Sequence, residues 1–162
     1  MSAIYEKVAL IGLGLIAGSM AHAIRRMDSS VKVTGSAKSA ETRAIAREIG
    51  VCDSVYDTSA EAVADADLVV LAVPVGAMAA VAEEIAPFLK PGAVVTDVGS
   101  VKAAVISAVA PYIPEGVHFI TAHPPAGTEH SGPRAGVAAW FDMRRFLLGP
   151  TEGADHDKTG GA

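Results

Sequence analysis

A short apolar run that leads directly into a glycine turn is the feature that most constrains the fold of this chain. From Val8 onward the sequence reads VALIGLGLIAGS, in which a β-rich segment, a G-x-G-x-x-A spacing and a helical segment follow one another. This order predicts a strand, a tight turn and a helix whose N-terminus binds the pyrophosphate of a dinucleotide; a purely structural turn is the alternative. The residues expected to contact the cofactor here are Gly12, Gly14, Leu15 and Ile16.

Apolar runs alternate with longer amphipathic segments along the rest of the chain. Segments typical of strands lie at 8–11, 31–34, 55, 68–73, 94–98, 117–121 and 146–148, and segments typical of helices lie at 16–26, 39–49, 59–64, 75–89 and 101–112. This alternation predicts βαβ units, and the continuous apolar strands indicate a sheet that is covered on both faces. We therefore predict a Rossmann-type, doubly wound α/β domain over residues 1–150, with a mainly parallel sheet and helices on both faces. Residues 151–162 are polar and are expected to form a tail or the start of a linker.

Composition and charge exclude several classes of protein. The 162 residues are 51% hydrophobic and 19% charged, which is typical of a globular domain, and the net charge of −5 without a basic run argues against nucleic-acid binding. The apolar runs are far too short to span a bilayer, and the spacing of cysteine and histidine fits no metal site. The single cysteine, Cys52, is expected to be a core thiol in a reducing compartment, and we therefore predict a cytoplasmic protein.

The end of the second predicted strand carries no acidic residue. A carboxylate at this place usually binds the ribose 2′-hydroxyl of NAD, whereas residues 35–39 read GSAKS. Its absence removes a repulsion toward a 2′-phosphate, and Ser36, Lys38 and Ser39 are candidate ligands for that group. The sequence therefore favours NADP over NAD. The alternative is that Lys38 is a solvated surface lysine. Ser39 is also expected to be the N-cap of the helix at 39–49, which Gly50 ends.

Three more segments follow predicted strands and complete a family pattern. They read AVPV at 72–75, TDVGSVK at 96–102 and HPPAGTEHSGP at 123–133. Together with the glycine turn, these segments resemble the prephenate/arogenate dehydrogenase family over residues 8–150. The resemblance implies NAD(P)-dependent oxidation of the ring alcohol of prephenate or arogenate, with loss of the ring carboxylate as CO₂.

The resemblance also assigns roles to individual residues. His123 corresponds to the histidine that draws the proton from the ring hydroxyl, a role that suits the near-neutral pKa of imidazole. Ser100 corresponds to the serine that hydrogen-bonds this hydroxyl or the histidine, with helix capping as the alternative. The expected substrate-side residues are Glu129 and Thr128, and the expected neighbours of the nicotinamide ribose are Val73 and Pro74.

The chain departs from the family pattern in two respects. Pro125 follows Pro124 directly after the candidate catalytic histidine, which restricts the backbone beside the expected pocket. Family members also continue into a helical second domain that builds a homodimer and supplies cations for the substrate carboxylates. Two alternatives to the complete enzyme therefore stay open: a truncated NAD(P)-binding module without activity of its own, and another Rossmann oxidoreductase of the β-hydroxyacid dehydrogenase type.

Overall fold

The structure is a computed structural model that describes residues 5–98 and 102–121. Within these residues the strands are β1 (Lys7–Ile11), β2 (Lys32–Ser36), β3 (Ser54–Tyr56), β4 (Leu68–Leu71), β5 (Val94–Asp97) and β6 (His118–Phe119). The α-helices are α1 (Leu15–Met27), α2 (Ala40–Ile49), α3 (Ser59–Val63), α4 (Val75–Ile85) and α5 (Lys102–Val109). Strands and helices alternate, as the pattern of apolar runs predicts.

The six strands form one parallel sheet in the order β3-β2-β1-β4-β5-β6. From β1 the chain moves outward on one side through β2 and β3, and then on the other side through β4, β5 and β6. The order therefore reverses between β1 and β4, which is where a doubly wound sheet opens a crevice at the carboxyl ends of its strands. The predicted fold class is confirmed.

Both faces of the sheet are buried, and the alternation of side chains along β1 shows how. Val8 and Leu10 pack in the core layer that contains α1, while Ala9 and Ile11 pack in the layer that contains α3, α4 and α5. The largest buried helix side chains of the two layers are Met20 and Ile24 on the first face, and Met78 and Ile85 on the second. Burial of each such side chain contributes about 1.5–3 kcal/mol, so the two helix layers are the main source of stability.

The ends of α2 follow the sequence signals closely. Ser39 is the N-cap, and its hydroxyl oxygen accepts a hydrogen bond from the Thr42 backbone N–H at 3.3 Å. Gly50 ends the helix in the left-handed conformation (φ 68°), which glycine adopts without steric cost. Both predictions for this helix are confirmed, and they fix where the chain leaves β2 and enters α2.

Several predicted boundaries are wrong, among them the predicted strand 117–121, of which only His118–Phe119 is a strand. The ends of three other elements have a local reason. The expected strand 68–73 ends at Leu71, because the chain turns there toward α4. The expected helices 75–89 and 101–112 end at Ile85 and Val109, and each continues as a short 3₁₀ turn that contains a proline, which lacks the N–H of a regular α-helix. The predicted strand 146–148 and the tail lie outside the described residues. No helix in the described ranges has the length and apolarity that a membrane span requires.

Candidate dinucleotide-binding site

Gly12 forms the turn after β1 and is fixed by the strands on either side. Its φ of +99° lies in a region that side chains rarely adopt, and a Cβ there would lie 2.6 Å from the carbonyl oxygen of Ala72. Its backbone N–H donates to the Ser36 carbonyl oxygen at 2.8 Å. The turn therefore lies in close contact with the ends of β2 and β4, and only glycine fits this position.

Gly14 differs from Gly12 because nothing in the described protein requires a glycine there. It is the N-cap of α1 with φ −80° and ψ −167°, an extended conformation open to any residue, and a Cβ would meet no atom within 4 Å. The α1 N-terminus has no side-chain cap and no acidic residue in its first turn. Its backbone N–H groups and the helix dipole therefore favour an anion, and the missing Cβ leaves room for a pyrophosphate to approach the backbone.

The described residues of this turn thus fit a dinucleotide. Leu15 and Ile16 begin α1 directly after Gly14, one residue before the predicted start of this helix. Val73 lies against the turn, since its Cγ1 atom is 3.0 Å from the position of a Cβ on Gly12. Pro74 is exposed and serves as the N-cap of α4, so both residues lie at the reversal between β1 and β4. Their contact with a cofactor stays a prediction.

The three polar residues at the end of β2 lie in different surroundings. Ser36 is only 1% exposed, and β2 extends to it because it pairs with Ile11 on one side and Tyr56 on the other. The Ser39 hydroxyl is engaged as the cap of α2, whereas the Lys38 side chain is exposed. Of the three candidate ligands for a 2′-phosphate, Lys38 is therefore the one that is exposed and has no structural role in the described part of the chain.

Arg43, which the sequence reasoning missed, is the residue that fixes this loop. Its Nη1 atom donates to the carbonyl oxygens of Ala37 and Lys38 at 2.6 and 2.9 Å. Its Nε atom lies 3.4 Å from Asp57 Oδ1, which also accepts from Arg47 Nη2 at 2.9 Å. A basic residue in the first turn of a helix opposes the helix dipole and needs such partners, and that position was the signal for it in the sequence.

The candidate reaction residues lie outside the described part of the chain. They are Ser100, His123, Thr128 and Glu129. The strands that precede them are neighbours, because β5 pairs with β6 in parallel register from Val94 and His118. Asp97 ends β5 as a buried, interacting carboxyl group. Ser100 therefore follows by three residues, and His123 by four, strands whose carboxyl ends lie at the same edge of the sheet as Gly12.

Cys52 has the character of a core thiol. It is buried in the α1 layer, and burial, the largest influence, raises the pKa of the thiol to about 11. Arg25 lowers this pKa and Asp53 raises it to a smaller extent. A thiol that stays protonated at neutral pH is a poor nucleophile, so the predicted structural role is confirmed. Among residues 5–98 and 102–121, no cluster of three or more potential metal ligands occurs.

The strand order and the glycine turn define a Rossmann-type nucleotide-binding domain. A family model described as "Prephenate dehydrogenase, nucleotide-binding domain" matches residues 20–159, and the chain belongs to this family. A cyclohexadienyl dehydrogenase of Zymomonas mobilis is 41% identical over 147 residues, which cover 91% of this chain and 50% of that protein. The chain spans half the length or less of the curated prephenate and cyclohexadienyl dehydrogenases it matches.

Solved structures of the same family agree with the fold. A prephenate dehydrogenase of Aquifex aeolicus, in complex with hydroxyphenyl propionate and NAD⁺, has a TM-score of 0.65 at 29% identity and covers 78% of this chain and 44% of its own. An arogenate dehydrogenase of Synechocystis has a TM-score of 0.64 at 31% identity and covers 76% of this chain and 42% of its own. The chain is thus similar in sequence and structure to the nucleotide-binding parts of these enzymes.

Proposed function

We propose that this chain binds a nicotinamide dinucleotide and provides the cofactor side of an enzyme that oxidatively decarboxylates prephenate or arogenate. The observation that carries the proposal is the uncapped N-terminus of α1 behind Gly14, a glycine that the protein's own packing does not need. Membership of the prephenate dehydrogenase family supports the reaction. The domain would extend over residues 1–150, with the polar residues 151–162 leading away from it.

The pyrophosphate would lie at the α1 N-terminus, against Gly12, Gly14, Leu15 and Ile16. The nicotinamide ribose would lie beside Val73 and Pro74 at the reversal between β1 and β4. Residues 37–39 contain no carboxylate that would repel a 2′-phosphate, and Lys38 is exposed beside them. We therefore favour NADP over NAD as the cofactor.

His123 and Ser100 would act on the substrate. When bound, the oxidised nicotinamide supplies the hydride acceptor. His123 would accept the proton of the ring hydroxyl, with Ser100 hydrogen-bonded to the same group, so that the carbinol carbon releases its hydrogen with the electron pair. The bond from the ring to its carboxylate then breaks, CO₂ leaves, and that electron pair completes the aromatic ring. Glu129 and Thr128 would border the substrate.

The test is the absorbance of reduced nicotinamide when the purified chain receives NAD or NADP with prephenate or arogenate. Turnover in any of the four combinations supports the enzyme and identifies both cofactor and substrate. Cofactor binding by titration without turnover supports the second candidate, an NAD(P)-binding module that depends on a further domain for activity. Failure to bind either dinucleotide contradicts both.

Two further expectations belong to the same proposal. An enzyme of this family is expected to be a homodimer through its helical second domain, which gel filtration of a chain that includes such a domain would measure. A cytoplasmic location is expected from the reduced, buried Cys52, since a lone thiol of this kind suits a reducing compartment. Dimerisation through the described domain alone would contradict the first expectation.

A further inference from the structure

The three residues between β2 and α2 are all held by the first turn of α2. Arg43 Nη1 donates hydrogen bonds to the carbonyl oxygens of two of them, Ala37 and Lys38. The third, Ser39, is held through its hydroxyl by the Thr42 N–H. Because the Arg43 side chain is 16% exposed and also pairs with Asp57, the guanidinium lies between the loop and the end of β3. We name residues 37–39 the ribose loop.

The orientation of these carbonyl groups has a consequence for the backbone donors. In a planar trans peptide the N–H group points away from the C=O group. With the carbonyl oxygens of Ala37 and Lys38 directed at Arg43, the N–H groups of Lys38 and Ser39 therefore point away from the guanidinium. Neither N–H group donates to an acceptor among the described residues. The ribose loop thus presents two backbone donors next to the exposed Lys38 ammonium group.

We propose that Arg43 is a positioning residue that sets the preference of this domain for NADP. This inference rests on the proposed dinucleotide binding. Arg43 does not touch the cofactor; it turns two carbonyl oxygens inward, away from a 2′-phosphate, and so keeps the ribose loop in the conformation that offers donors. Without it, those carbonyl oxygens are free to turn toward the ribose, where they repel a phosphate but accept a hydrogen bond from the 2′-hydroxyl of NAD.

Arg47 provides a matched control in the same helix. It lies one turn after Arg43, has the same charge, and binds Asp57 Oδ1 at 2.9 Å and the Val55 carbonyl oxygen at 2.9 Å. In the described structure it has no bond to the ribose loop. Arg47→Gln therefore removes one positive charge and one contact with the Asp57 carboxylate, as Arg43→Gln does, but it leaves the two contacts of Arg43 with the loop carbonyl oxygens in place.

The experiment measures the Kd of NADP and of NAD for the whole chain and for the variants Arg43→Gln, Arg43→Lys and Arg47→Gln. We expect Arg43→Gln to raise the Kd of NADP about tenfold and to leave that of NAD within about twofold. Arg43→Lys should show the same direction, because one ammonium group cannot replace the planar fork of donors. Arg47→Gln should leave the ratio of the two constants unchanged.

Digestion with a lysine-specific protease measures, without any cofactor, how easily the ribose loop opens. The bond after Lys38 lies inside the ribose loop, so its cleavage should accelerate about tenfold in Arg43→Gln and stay unchanged in Arg47→Gln. Three outcomes overturn the inference while the proposed function stands. Arg43→Gln loses affinity for NAD and NADP equally, the ratio of the two Kd values in Arg43→Gln stays as in the wild type, or Arg47→Gln loses as much NADP affinity as Arg43→Gln. A wild-type chain that binds neither dinucleotide overturns the proposed function itself.

Discussion

The polar groups at the amino ends of the strands are paired differently from those at the carboxyl ends. We call these two borders of the sheet the amino edge and the carboxyl edge. At the amino edge, Asp67 Oδ2 accepts from the backbone N–H groups of Glu6 and Lys7 at 2.8 and 2.9 Å, and Lys90 pairs with its Oδ1 atom. The Lys7 ammonium group donates to the Ala64 carbonyl oxygen. At the carboxyl edge, the α1 N-terminus behind Gly14 has no side-chain cap. Among the described residues, these polar groups of the first edge are paired with one another, whereas the backbone donors at the α1 N-terminus of the second edge have no side-chain cap.

If the proposed binding site is correct, this difference separates the residues that hold the fold from those that bind the cofactor. Two glycines of the same turn belong to different groups, since the backbone conformation requires glycine at Gly12 but not at Gly14. Substitution of a residue of the first kind should lower the free energy of unfolding, while the molecules that stay folded keep their affinity for the ligand. A residue of the second kind should do the reverse, which makes the comparison testable by substitution.

The largest effect is expected from Gly12→Ala. The new Cβ would lie 2.6 Å from the Ala72 carbonyl oxygen, and the φ of +99° would strain any side chain. Backbone strain and overpacking each cost about 1–3 kcal/mol, so we expect the free energy of unfolding to fall by about 4 kcal/mol. Urea denaturation followed by circular dichroism measures this loss. A variant as stable as the wild type would show that the turn is not fixed by its neighbours.

Gly14→Ala should instead affect binding. Its Cβ meets nothing in the protein, so the free energy of unfolding should stay within about 0.5 kcal/mol of the wild type. The methyl group would occupy the space of the pyrophosphate, and we expect the Kd of the preferred dinucleotide to rise about a hundredfold, as titration measures.

Gly18→Ala is the matched control for both glycine variants. It also adds a methyl group without contacts, but inside α1. Alanine is the better helix former by about 1 kcal/mol, so this variant should be slightly more stable and bind normally. A Gly14→Ala chain that binds as tightly as Gly18→Ala would remove the assignment of the α1 N-terminus as the pyrophosphate site.

The sequence predicted the fold class, a doubly wound and mainly parallel sheet, better than the details of the site. Alternating apolar runs and the glycine turn suffice for a doubly wound sheet, because burial on both faces is a property of side-chain pattern. The end of β2 at Ser36 was missed, since Gly35 and Ser36 join the strand through backbone pairing on both sides and not through apolar side chains. Arg43 was missed because its partners are carbonyl oxygens, which a side-chain pattern does not show, and its basic charge in the first turn of α2 was the one sequence signal for it.

Asp67→Asn tests the paired polar groups of the amino edge. Burial raises the pKa of this carboxyl group, but the hydrogen bonds from Lys90, Lys7 and Glu6 together outweigh it and hold the pKa below its usual value. Asparagine keeps the shape and loses the charge-assisted bonds, and because the side chain is partly exposed we expect a loss of about 1–2 kcal/mol at pH 7. Dinucleotide affinity should not change.

The pH dependence of stability gives the same residue a second signature. A carboxyl group whose pKa is lower in the folded state stabilises the fold above its unfolded pKa of about 3.9 and loses this contribution as the pH falls through the folded value. The difference between wild type and Asp67→Asn should therefore shrink below about pH 4. Asp65→Asn, which removes an exposed carboxylate two residues away, should show neither effect. An equal loss in both variants would assign the effect to net charge.

The smallest effect is expected at Cys52, whose thiol should hardly react in the native protein. With a pKa of about 11, about one thiol in a thousand is ionised at pH 8, and burial in the α1 layer blocks a reagent as well. A chromogenic disulfide should label the Cys52 thiol at once in denaturant. In buffer without denaturant it should label the thiol only when the structure around it opens. Cys52 Sγ lies 2.9 Å from where a Cβ on Gly35 would be, so the thiol lies beneath the end of β2.

Labelling of this thiol can therefore distinguish opening of the whole sheet from opening of the carboxyl edge alone. If labelling needs global unfolding, Asp67→Asn should accelerate it about tenfold, in line with its expected loss of stability. If the carboxyl edge opens by itself, Asp67→Asn should leave the rate unchanged, while a dinucleotide at a hundred times its Kd should slow it about a hundredfold. The second result would show that the edge left open for a ligand is also the less stable one; rapid labelling under all conditions would contradict the burial of Cys52.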